Sequence, residues 1–257
     1  MLVQTSMDAS VPYGELSIKQ QRRGEVRACT HDERDEAFSR MLFELAQGIS
    51  LIQHPGLAPI TALHLTAKGL EITYLVALDA IPLKEVGDAG SFLHAASMIA
   101  HGFAAAHAST GESNLYSELD TQLLLARPGG GQFVGFGVWQ RAYSVSSSTL
   151  RCPAGISSGP AMCPEWLLGR DTSPRTSTFF LAFALWVILC KKWPFPRQDT
   201  WSHVVAVRDG AIRPFSPRAS FALPSRLRGV LEDALCSPPD KRASPAVFAE
   251  QLAELQG

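Results

Sequence analysis

The chain has 257 residues, 46% of them hydrophobic, enough to bury a substantial core in one domain or in two tightly associated lobes. A formal net charge of -1 provides neither a global basic field for nucleic acid nor an acidic solvating tail. Five cysteines (Cys29, Cys152, Cys163, Cys190, Cys236) are scattered without a CxxC pair or nearby paired histidines, and are expected to be reduced thiols of a cytoplasmic protein.

Residues 1–12 carry neither a basic n-region nor an apolar h-region and are expected to be a flexible N-terminus. ELSIKQQ and GEVRACT, between residues 14 and 30, predict two strands joined by a polar turn over 20–24. Residues 32–53 start with acids and repeat Phe38, Met41, Leu42, Leu45, Ile49 and Ile52 every three or four positions. That spacing predicts an amphipathic helix ending before His54-Pro55-Gly56. A second hairpin is predicted over 62–66 and 70–78, parted by Lys68-Gly69.

Past Pro82 the character changes. Phe92, Ala96, Ile99, Phe103 and His107 predict a helix over 91–109, and short strands are expected at 123–125 and 132–134 around RPGGG. Residues 140–162, with SVSSST and GISSGP, read as a long surface loop. Helices are predicted over 178–190, 224–235 and 244–255, and no internal repeat is present. The run FFLAFALWVILC would span about 18 Å as a helix, short of the ~20 residues that cross a bilayer, so it is expected to be the buried centre of a core.

From Gly102 the order GFAAAHAS, QLLL, VGFG, MCPE, an apolar helix with WPF, then PPDKRAS resembles the large lobe of bacterial Ser/Thr protein kinases. QLLL stands in the place of N-V-L-L, Gly135-Phe136-Gly137 in the place of DFG, and Cys163-Pro164-Glu165 in the place of APE. Upstream, His54-Pro55-Gly56-Leu57 resembles the turn after the regulatory helix, and Tyr74-Leu75-Val76 the strand entering the interlobe hinge. The likeness covers about residues 13–255. It implies an α+β, two-lobed fold with a reduced β-rich small lobe carrying one helix (13–80) and a larger, mainly helical lobe (81–257).

Phosphoryl transfer in that family depends on positioning and electrostatics: a glycine-rich loop, a strand Lys, metal-holding Asn and Asp, and a catalytic Asp. Aligned on these motifs, Thr30 falls at the Lys, Ser117 at the catalytic Asp, Gln122 at the Asn and Gly135 at the metal-binding Asp. None carries a charge near neutral pH, and Gly135 has no side chain. Gly14 stands alone where a glycine-rich loop belongs. Glu44 lies near the position of the helix Glu, strict counting from His54 landing on Leu45. Glu118 and Asp120 are nearby carboxylates, better explained as solvated surface acids than as a substitute centre.

Other family positions are kept. Phe136 is placed to pack between the lobes, Thr178 stands where an Asp normally tethers the catalytic loop, and Glu165 and Arg242 match a buried ion pair joining the activation segment to the late helices. The resemblance therefore implies a pseudokinase with no catalytic residue, no cofactor and no metal, acting as a protein-binding scaffold or allosteric regulator. The expected partner is another protein, an active kinase or a larger complex, with no nucleic acid and no membrane span. A metal-independent nucleotide or small-molecule sensor is the alternative, and an unconventional phosphoryl or nucleotidyl transferase the second.

Ser144, Ser146, Ser147, Ser148 and Thr149, in the place of an activation loop beside Arg141 and Arg151, are candidate phospho-acceptors. Arg208, Arg213, Arg218, Arg226 and Arg228 share a later stretch with Asp209 as its one acid. A solvated face explains them more simply than an acidic partner does.

Overall fold

The computed structural model describes residues 17–20, 25–29, 43–44, 46–66, 69–110, 121, 123–134, 163–168, 173–196 and 200–256. Strands β1 (Ser17–Gln20), β2 (Glu25–Cys29), β3 (Ile60–Thr66) and β4 (Gly69–Leu75) form one antiparallel sheet in the order β1-β2-β4-β3. Ile72 and Tyr74 share one face of β4 with no exposed surface, and Thr73 on the other face is buried as well. Residues 43–44 and 46–50 are helical (α1), with Ala46 and Ile49 turned into the core at helical spacing.

The second part of the chain is mainly helical. It opens with the short strand β5 (Ile81–Pro82) and then α2 (Ala89–Thr110), followed by β6 (Leu124–Arg127) and β7 (Gly130–Phe133). These strands make a separate antiparallel sheet, β5-β6-β7. Next come α3 (Pro164–Leu167), α4 (Pro174–Cys190), α5 (Thr200–Arg208), α6 (Leu227–Ala234) and α7 (Pro245–Glu254). Helix α4 is buried on every side from Thr176 to Trp186, so its apolar run is core. Among the described residues no helix is long and apolar enough to cross a membrane.

Two differences from the sequence expectations have local causes. Helix α4 begins at Pro174, four residues before the expected start at 178. Ser173 is extended (φ -139°, ψ 170°), its N–H donates to Thr176 Oγ1 at 3.1 Å, and Pro174 presets the first helical φ. Helix α5 was not expected at all. Val204, Val205 and Val207 are weak helix formers, and the helix is held by burying His203, Ala206 and Val207.

Candidate functional site

Where the family resemblance places phosphate chemistry, the described backbone converges on α2. The β6–β7 turn passes through Gly129 (φ +84°) and Gly130 (φ +138°), conformations that side chains rarely adopt. At Gly131 a Cβ would lie 2.0 Å from the Ala95 carbonyl oxygen, so this strand rests directly on the helix backbone. The turn after α1 does the same about one helical turn further along, since a Cβ at Gly56 would lie 2.0 Å from the Met98 carbonyl oxygen. Turn and strand also bond to each other. Ala58 N–H donates to the Phe133 carbonyl at 2.8 Å, and Phe133 N–H to that of Gly56 at 2.9 Å, forming a parallel bridge at Leu57.

Val134 N–H donates to the Leu123 carbonyl at 3.0 Å. Gln122 and Gly135 are the next residues in sequence beyond that contact, and both lie outside the described residues, as do Thr30, Ser117, Glu118, Asp120 and Phe136. The candidate phospho-acceptors Ser144, Ser146, Ser147, Ser148 and Thr149 lie outside them too. Gly56 is further fixed by donating its N–H to His54 Nδ1 at 3.0 Å. Burial, and secondarily the charge of His101, hold the His54 imidazole below its ordinary pKa. On β4, Tyr74 is fully buried with no hydrogen-bond partner for its hydroxyl among the described residues, and burial pushes its phenol far above the usual range.

Glu165 and Arg242, 77 residues apart in sequence, meet in a two-pronged ion pair. Arg242 Nη1 donates to Glu165 Oε1 at 2.6 Å and Nη2 to Oε2 at 2.9 Å, and neither side chain has exposed surface. Burial of two charges is tolerable when every remaining donor and acceptor is engaged. Arg242 Nε donates to the Cys236 carbonyl at 2.6 Å, Nη2 also to that of Ser237 at 3.0 Å, and the guanidinium lies 4.7 Å from the centre of the Phe179 ring. Glu165 Oε1 accepts a further bond from Thr176 Oγ1 at 2.8 Å.

A second arginine completes the knot. Arg175 Nη1 donates to the carbonyl of Asp240 at 2.7 Å and to that of Arg242, bracing the turn that carries Arg242. The arrangement joins α3, the start of α4 and the turn before α7 at one buried point. No group of three or more metal-ligating side chains occurs among the described residues. The chemistry of the arrangement is that of a structural tie.

Sequence reasoning had not found Arg175, Thr176, or the contact of His107 Nε2 with Ser177 Oγ at 3.1 Å, which ties α2 to α4 inside the core. One signal was available: Thr176 stands three residues after the helix-capping Ser173. Thr178, which the resemblance aligns with a tethering Asp, is buried with its hydroxyl unpaired among the described residues.

This geometry defines a protein-kinase-like fold: among the described residues, a small sheet with one helix is followed by a mainly helical part built around a buried central helix and an internal ion pair. The kinase domain of Mycobacterium tuberculosis PknI superposes with a TM-score of 0.61 at 18% identity, covering 100% of this chain and 96% of that one. Rad53 in complex with AMP-PNP superposes with a TM-score of 0.66 at 12% identity, covering 98% of this chain and 64% of that one. Similarity at this identity speaks for the fold alone. No protein-family model matches the sequence, and no curated protein does.

Proposed function

We propose that this chain is a catalytically inactive pseudokinase that works as a cytoplasmic protein-binding scaffold or allosteric regulator. One contrast carries the reading. Thr30, Ser117, Gln122 and Gly135 stand where the family holds a Lys, a catalytic Asp and two metal ligands, while the buried tie between Glu165 and Arg242 is complete. Loss of one such group is usually enough to cripple phosphoryl transfer, and a general base alone contributes ~100- to 10,000-fold. A buried ion pair that loses one partner is destabilising, so keeping both serves the fold rather than the reaction.

The partner on this reading is another protein, an active kinase being the first candidate. Ser144, Ser146, Ser147, Ser148 and Thr149 are acceptors through which a second kinase would regulate the contact. Thermal shift of the purified chain with ATP, with and without Mg²⁺, tests the reading together with radiolabel transfer to itself and to generic substrates. No shift and no transfer are expected. A metal-independent shift would instead identify a nucleotide sensor, and metal-dependent transfer abolished by Asp120→Asn would identify an enzyme.

A further inference from the structure

Positive charge on the helical part of the molecule is matched unevenly. Arg208 pairs with Asp209 at 2.7 Å, Arg228 with Glu232 at 2.9 Å, and Arg226 reaches Glu254 at 3.9 Å. Lys191, Lys192, Arg213 and Arg218 are all exposed, and none has an acidic partner among the described residues. The backbone gathers these four. Arg218 N–H donates to the Leu189 carbonyl at 2.7 Å, and Arg213 N–H to that of Pro194 at 2.6 Å. Each of those carbonyls is two residues from Lys191 or Lys192, at most about 7.6 Å along the chain.

The strand-less segment bearing the two arginines is held in place. The Phe215 ring meets Trp186 of α4 edge-on at 5.0 Å, and Phe221 meets Phe92 of α2 at 6.0 Å. Lys191 itself caps α4 in the left-handed conformation (φ 54°), at the carbonyl end of the helix, where clustered positive charge is tolerated. Four cations are thus presented on a fixed backbone. Guanidinium forks bind carboxylates two-pronged, as the internal pair of this same protein does.

We propose that Lys191, Lys192, Arg213 and Arg218 form a docking surface for an acidic, Asp- and Glu-bearing segment of a protein partner. This deepens the protein-binding reading above and rests on it. A long polyanion fits less well, because a chain of net charge -1 offers no extended field to follow. A bilayer fits less well too. The exposed residues between the arginines are Pro214, Ser216 and Pro217, while Phe215 and Phe221 are engaged in the core contacts just described rather than free to insert.

The test is fluorescence anisotropy of a labelled oligo-glutamate peptide titrated with the full chain. Saturable binding is expected at low ionic strength, with loss in about 0.5 M salt, where the Debye length falls to roughly 4 Å. The triple variant Lys192→Gln, Arg213→Gln, Arg218→Gln should bind at least about tenfold more weakly, and the single exposed change Lys192→Gln should weaken binding measurably should the triple variant fail to fold. Arg226→Gln with Arg228→Gln, which removes two cations that already have partners, should leave binding unchanged.

The proposal is overturned if the wild-type chain does not bind the peptide or if the control pair loses as much affinity as the triple variant. Tighter, equally variant-sensitive binding to phosphatidylserine vesicles or to a single-stranded oligonucleotide would overturn it as well. The two readings fail separately. Peptide binding lost while the chain still co-purifies with a cellular protein would remove this surface and leave the scaffold reading standing, whereas phosphate transfer would remove the inactive scaffold whatever the peptide does.

Discussion

At the scale of single residues, the energetics are concentrated in charges that have been taken out of water. Changing Glu165→Ala leaves the Arg242 guanidinium buried without its carboxylate, and Arg242→Ala does the reverse, so each should destabilise by about 3–5 kcal/mol. The double variant should lose less than the sum, because no orphan charge remains; chemical denaturation of the four proteins measures the coupling, and a value near zero would contradict the tie. His54 carries a pH dependence of definite sign. Its Nδ1 accepts the Gly56 N–H and must be unprotonated to do so, and its folded pKa lies below the ordinary 6.5. The unfolded chain therefore takes up the proton first, so this contribution is full above about pH 6.5 and is lost as the pH falls from there through the lower folded pKa. Unfolding free energy should be lower at about pH 5.5 than at about pH 7.5, and His54→Asn, whose amide oxygen can accept the same N–H, should remove part of that difference.

At the scale of elements, glycine marks where backbones touch. Gly131→Ala would drive a methyl into the Ala95 carbonyl and part β7 from α2, which should destabilise by about 3 kcal/mol or prevent folding. Gly229→Ala, in exposed α6 with nothing within 4 Å of the added atom, should instead stabilise by about 0.5–1 kcal/mol. Thermal melts of the two variants should move in opposite directions.

The elements also show how much of this molecule is written locally. Helices α2, α4 and α7 and the β3–β4 hairpin can be read from spacing, because one face or every face of each is apolar. Helix α5 cannot, since its valines argue against the helix that tertiary burial imposes. Glu165 and Arg242 are legible through motifs around them. Arg175 is not, because its partners are main-chain carbonyls, which every residue possesses. The bridge between the turn at Leu57 and β7 is likewise backbone on backbone, and leaves no side-chain trace in the sequence.

At the scale of the whole molecule, the last helix completes the core rather than decorating it. Ser97 of α2 donates its hydroxyl to the Ala249 carbonyl of α7 at 2.8 Å, and Phe248, Ala249 and Leu252 have no exposed surface. A chain ending at residue 238 would keep every position aligned with phosphate-transferring residues in the kinase family. It should nevertheless fail to give a cooperative melt. The internal ion pair adds a requirement in time. A ribosome adding about 5–20 residues per second needs roughly 4 to 15 s to pass from Glu165 to Arg242, which are 77 positions apart. Throughout that interval the carboxylate must remain hydrated and residues 163–168 cannot take their final seat. The ion pair therefore closes late, and a stall or frameshift between Glu165 and Arg242 yields a product with an exposed core and an unanswered charge, a natural substrate for chaperones and proteases.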